Sequence, residues 1–238
     1  MMNIALVINS CYEFYDTTIP PIIESAKIAG VPGRHIYVVV GQCDNDRDIV
    51  FNGEYNIVFC RYTNIDYTAA VYFTQTEKGR TELSKYSHFF YIHDTCKILP
   101  GFWNNLQKYQ CDTYIKLQKQ CSKTIGMFNT DWFLENKTEL MRYYANTNQE
   151  LFMIYKSGDF PNKDEIYAKF KNLAEFPNED CLFLFDKFIP IGPYFVNGTI
   201  PQYVQNIYGT PRMVSEYSEP GIQKFQKNWG RGGWNVNL

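Results

Sequence analysis

Short apolar runs alternate with segments of helical spacing through the first hundred residues. The runs at 4–8 (IALVI) and 36–40 (IYVVV) are rich in β-branched residues and bounded by polar or turn-forming ones, and both predict buried strands. Between them, 19–29 (IPPIIESAKIA) has prolines at its start, apolar residues at helical spacing and Gly30 after its end, which predicts a helix. The chain therefore opens β-α-β. A third strand is predicted at 56–60, a helix at 67–85 with Ala69, Ala70, Phe73 and Leu83 on one face, and a fourth strand at 89–92.

Beyond Pro100 the pattern loosens. It predicts a helix near 101–108, a strand near 124–128, a helix over 130–144, a strand at 151–155 and a helix at 163–173. Thr130 is the expected cap of the 130–144 helix, though Phe133 stands where a capping box has Glu. There is no internal repeat, low-complexity tract or composition break marking a linker. The expected fold is α/β, a single domain with a mostly parallel central sheet, helices on both faces and right-handed crossovers. In such sheets ligands gather at the carboxyl ends of the strands.

Composition narrows the partners. With 238 residues the chain buries a core without metal or disulfide staples, and 45% hydrophobic against 20% charged residues is an ordinary globular balance. The net charge of −2 supplies no bulk attraction to nucleic acid or anionic membranes. Seven cysteines contain no close CxxC pair and leave one over under complete pairing, which fits free thiols in a reducing compartment. The opening MMNIALVIN has no cationic region before a long apolar stretch, and no run approaches a membrane span, so a cytoplasmic location is expected. An Asn-, Lys-, Tyr- and Ile-rich composition fits an AT-rich genome such as a viral one and says nothing about chemistry.

The most informative stretch is Phe89-Phe90-Tyr91-Ile92-His93-Asp94-Thr95-Cys96, where an apolar strand runs directly into polar side chains before a Leu99-Pro100-Gly101 turn. Charge beside a buried strand must be satisfied, either by a ligand or by capping of the segment that begins near Pro100. Several enzyme classes lack their anchors. No GxGxxG follows the first strand and no GxxxxGK[ST] occurs, against a dinucleotide dehydrogenase or a P-loop enzyme. His35, His88 and His93 share no metal-ligand spacing and HExxH is absent, against a zinc hydrolase. GxSxG is absent too, against a hydrolase with a nucleophile elbow.

The β-α-β opening, the following helix and the strand ending in His93-Asp94-Thr95 with Pro100 beyond it resemble a nucleotide-sugar glycosyltransferase of the A-type fold, over roughly residues 3–185. In that family an Asp-any-Asp motif closes a strand and holds a divalent metal against the sugar diphosphate. The resemblance implies Asp94, with Thr95, as ligands of Mn²⁺ or Mg²⁺, while His93 and Thr95 stand where the family has its two acids. It implies Asn9, Ser10 and Asp66, with Asn64 beside it, as nucleoside contacts, and His93 on the donor side. Lys224 and Lys227, in a C-terminal segment expected to fold over the donor phosphates, would meet the diphosphate; truncation after Glu219 is expected to abolish transfer and leave the fold. An acceptor hydroxyl needs a base, and Asp180 in Glu179-Asp180 and Asp131 beside Trp132 are the alternatives. Glu179 and Asp180 read equally as first-turn helix residues.

The implied organisation is a nucleotide-binding half at about 1–100, an acceptor half at about 101–210 and a C-terminal segment at about 211–238. The implied activity is transfer of a sugar from a nucleoside diphosphate donor, UDP by default, to a glycan or other hydroxyl acceptor. The alternatives are a sugar nucleotidyltransferase, disfavoured because 9–16 lacks a Gly-rich basic loop, and a noncatalytic carbohydrate-binding or interaction protein on the same fold.

Overall fold

A computed structural model describes residues 2–62, 67–109, 112, 114–116, 125–137, 182–183, 188–189, 212–217 and 220–226. The chain divides into two interleaved units, Met1–Tyr15 with Pro32–His93 and Gln110–Leu184, and Asp16–Val31 with Asp94–Tyr109 and Phe185–Leu238.

The first unit is built on the continuous apolar runs. β1 (Ile4–Cys11), β2 (Ile36–Gly41), β4 (Asn56–Phe59) and β5 (His88–His93) lie side by side in the order β4-β2-β1-β5, all parallel. Every residue of β2 and β5 is buried, as expected of strands covered on both faces, which is why their sequences read as unbroken apolar runs rather than alternating ones. β3 (Val50–Phe51) adds an antiparallel edge to β4. Beyond β5 stand β8 (Gly126–Asn129), antiparallel to it, then β7 (Tyr114–Lys116) and β9 (Leu182–Phe183). The α/β class and its largely parallel central strands are as the sequence predicts.

One core cluster contains Ala5, Val7, Val39, Phe73, Phe89, Phe128 and Phe133. Phe89 stacks on Phe128 at 5.0 Å between centroids and meets the edge of Phe133 at 4.8 Å. The helix predicted at 67–85 is two helices, α2 (Thr68–Gln75) and α3 (Glu77–Leu83). Thr76 breaks it: its backbone is extended (φ −99°, ψ 140°) and its hydroxyl accepts the Gly79 N–H, so Thr76 is an N-cap rather than a helical residue.

In the second unit α1 (Tyr15–Ile28) starts before its prolines, with Asp16 in its first turn and Pro20 and Pro21 inside it. Its end follows the glycine: Gly30 (φ 83°) donates to the Lys27 carbonyl and Val31 to that of Ala26, the paired bonds of a Schellman cap. β6 (Cys96–Ile98), β10 (Phe188–Ile189), β11 (Arg212–Tyr217) and β12 (Ile222–Gln226) form an antiparallel sheet in the order β10-β11-β12-β6. Buried Ser25 of α1 accepts the Ile98 N–H of β6 at 3.2 Å and donates to the Ile22 carbonyl. α4 (Phe102–Leu106) follows the Leu99-Pro100-Gly101 turn.

α5 (Thr130–Glu135) has Asn129 as its N-cap, which accepts the Trp132 N–H, so Thr130 is its first helical residue and not the cap. The rest of the predicted 130–144 helix, the 151–155 strand and the 163–173 helix lie outside the described residues.

Candidate functional site

In the first unit, polar side chains collect at the carboxyl edge of the parallel strands. Asn9 pairs with Val39 on one side and His93 on the other, and Cys11 with Gly41. Asn9, Ser10 and His93 are buried, 4%, 3% and 6% exposed. The Asn9 carboxamide oxygen accepts the Ala69 N–H at 2.9 Å and the Tyr91 hydroxyl at 3.1 Å. Tyr67, at the N-cap of α2, makes no side-chain cap, so Asn9 supplies from β1 the acceptor that the first turn of α2 needs. The expected nucleoside contact at Asn9 is thus a residue whose oxygen is committed to holding α2 and Tyr91. Gly41 allows the same close approach, since a Cβ there would lie 2.5 Å from Thr68 Cγ2 and 2.7 Å from the Tyr62 carbonyl oxygen. His93 meets the Tyr91 ring edge-on at 6.3 Å.

An aromatic row at this edge was missed by sequence reasoning. Tyr12, immediately after β1 and 52% exposed, stacks on Tyr15 at 5.7 Å, and Tyr15 meets Phe59 edge-on at 5.2 Å. The Arg47 guanidinium lies 5.0 Å over Phe59, and the Arg47 N–H donates to the Phe59 carbonyl. The available signal was Tyr12-Glu13-Phe14-Tyr15 following the first strand, where an apolar ring has no strand to bury it. The thiols here are poor nucleophiles: burial pushes Cys60 up to about 12 and raises Cys43 as well.

In the second unit, Asp94 and Thr95 form the turn that leads into β6. Thr18 of α1 donates its hydroxyl hydrogen to Asp94 Oδ2 at 2.9 Å. β12 brings Lys224 opposite Cys96, and from that register the Lys224 ammonium donates to Thr95 Oγ1. Gly221 (φ 110°) shapes the turn before β12, its carbonyl accepting the Leu99 N–H at 2.9 Å, and Asn105 Nδ2 donates to the Pro220 carbonyl. Capping of the segment near Pro100 is ruled out as the role of Asp94 and Thr95, because the N-cap of α4 is Gly101, without a side-chain bond.

β12 sits between β11 and β6, so truncation after Glu219 would take away an inner strand of the second sheet, and it is expected to disturb that sheet rather than leave the fold intact.

At this turn the described residues offer a divalent metal a single carboxylate. A hard cation held by one carboxylate takes its other oxygen ligands from substrate phosphates and water. Asp94 is the one carboxylate of the turn and already accepts from Thr18, while Thr95 accepts from an ammonium whose charge repels a second cation. Among the described residues no group of three His, Cys, Asp or Glu side chains is placed to hold an ion.

Asp131 lies away from this end of the sheet. It is an exposed first-turn residue of α5, and β8, running antiparallel, brings Asn129 beside His88, the first residue of β5. Six residues of strand, ~16 Å, separate the two ends of β5, so Asp131 stands near the opposite end of that strand from His93. Asp180, Glu179, Asn64, Asp66 and Lys227 lie outside the described residues.

No family model and no curated protein matches the chain. Among solved structures it is similar to the glycosyltransferase GlyE of Streptococcus pneumoniae TIGR4, at TM-score 0.40 and 10% identity over 73% of this chain and 42% of that one. It is similar also to the apo form of GlyE, at TM-score 0.36 and 13% identity over 81% of this chain and 57% of that one. The chain thus spans about half the length of these neighbours. No helix among the described residues is long and apolar enough to cross a membrane.

Proposed function

We propose that this chain is a nucleotide-sugar glycosyltransferase, with UDP-sugars as the default donors and a hydroxyl as the acceptor. The observation that carries the proposal is the Asp94-Thr95 turn directly after β5 with the Lys224 ammonium on Thr95, a fixed positive group where a parallel strand ends. In the reaction the bond from the anomeric carbon to the β-phosphate oxygen breaks, and its electron pair stays on that oxygen. The acceptor oxygen forms the new bond and its proton passes to a base, for which Asp180 is the residue the family resemblance suggests. A positive group fixed in advance at the leaving oxygen lowers the barrier without reorganising. Lys224 supplies it, with Lys227 as a further cation from the same segment. For the nucleoside, Ser10 and Asp66 are the residues the family resemblance suggests.

The test is a panel of UDP-, GDP-, CDP- and dTDP-sugars incubated with the full chain, with free nucleoside diphosphate as the readout. Release from at least one donor, lost in Lys224→Met, is the expected result. Glycan binding with neither donor binding nor turnover would replace the proposal with a noncatalytic carbohydrate binder. Synthesis of a nucleotide sugar from a sugar phosphate and a nucleoside triphosphate would replace it with a nucleotidyltransferase.

A further inference from the structure

We infer that the charge of the donor diphosphate is met by the Lys224 ammonium in place of a divalent metal, so that nucleotide binding is independent of metal. This rests on the transferase proposal. The segment that ends β5, His93-Asp94-Thr95, carries a single carboxylate, and its last member is a hydroxyl that accepts from Lys224. The ammonium is held in register by the pairing of β12 with β6, Lys224 opposite Cys96 and Ile222 opposite Ile98. The turn is fixed on its other side by the Thr18 hydroxyl on Asp94. A lysine anchored in a strand delivers one positive charge at a set position, the contribution a bound ion would make to a leaving diphosphate.

An ammonium and a divalent ion at one turn repel each other, so a seated Lys224 weakens the attraction of Asp94 for a second cation. Asp94 then orients the turn through Thr18 rather than ligating an ion. Lys224 is a binding residue for the diphosphate and, as the bond breaks, a stabiliser of the leaving oxygen. The nucleoside end of the donor is not affected by its charge.

Calorimetric titration of the full chain with UDP, GDP, CDP and dTDP, each in EDTA and in excess Mn²⁺, tests this directly. At least one diphosphate is expected to bind with dissociation constants that agree within about threefold in the two conditions. Lys224→Met should weaken that binding by about ten- to a hundredfold in EDTA, the range for a lost hydrogen bond to a charged group, and leave the bare nucleoside's affinity unchanged. Lys224→Arg, which keeps the charge in the strand, should retain most of it, and thermal melts verify that both variants fold. If Mn²⁺ tightens wild-type diphosphate binding about tenfold or more, the inference is overturned while the transferase proposal stands. If no diphosphate binds in either condition, the transferase proposal itself fails and takes the inference with it.

Discussion

The two edges of the central sheet differ in how their polar groups are answered. At the amino edge, where β5 begins, nearby chain closes the structure. Ser87 donates both its N–H and its hydroxyl to the Asn3 carbonyl, Asn3 Nδ2 donates to the Lys85 carbonyl, and Thr130 N–H to that of Ser87. Tyr86 donates to the Arg34 carbonyl, and His35 Nδ1 lies 2.8 Å from the Ile4 carbonyl. At the carboxyl edge the strands end instead in buried Asn9, Ser10 and His93 and in an aromatic row with Tyr12 outermost. One edge is stitched shut by main-chain carbonyls and the other presents side-chain chemistry. The edges of a parallel sheet are not equivalent, and among the described residues the second is the one where buried polar side chains and an exposed ring come together.

Substitutions should separate the edges. The largest effect is expected at the amino edge: Phe89→Ala removes a ring stacked on Phe128 and edge-on to Phe133 and should cost about 3–5 kcal/mol in urea unfolding. A loss under about 1 kcal/mol would mean that the aromatic cluster does not hold this edge.

Alkaline titration probes the carboxyl edge. Burial raises Cys60 from 9.0 to about 12, so the folded protein keeps its proton while the unfolded chain releases it. The stabilisation is full below pH 9 and declines as pH rises toward 12. Tyr72, raised by burial to about 12, adds to the same decline. Unfolding midpoints measured across this range should fall, and fall less steeply in Cys60→Ala; parallel curves would contradict burial of that thiol.

Asn9→Ala leaves the Ala69 N–H and the Tyr91 hydroxyl without that acceptor and should cost about 1–3 kcal/mol. Weaker nucleoside binding at unchanged stability would instead make Asn9 a ligand contact. The smallest effect belongs to Asp131→Asn, with unchanged donor turnover and a stability change of about 0.5 kcal/mol or less from the lost helix-dipole interaction. A collapse of turnover there would break the contrast between the edges.

What was legible in the sequence follows from how local its cause is. β1, β2 and β5 were plain because strands buried on both faces must be apolar throughout, and the end of α1 was plain because Gly30 takes a positive φ. The start of α1 was misplaced because prolines usually mark a first turn, whereas these sit inside the helix. The break at Thr76 left a trace, a capping residue followed by Glu77 and Gly79, hidden under a continuous helical pattern. β6 and β12 left none. Each is short, and each finds its partner far along the chain, so no local period reveals them. The polar turn at Asp94-Thr95 was readable from a strand running into polar residues, while the seating of Lys224 on Thr95 depends wholly on that distant pairing.

The pairing of β6 with β12 also has a kinetic side. Ile98 emerges during synthesis roughly 120 residues before Ile222, its partner, and contacts so distant in sequence form slowly. The early strands can assemble while the remainder of the chain is still being made. Lys224 arrives only when that late strand docks, so its contact with Thr95 should form in a late phase of folding.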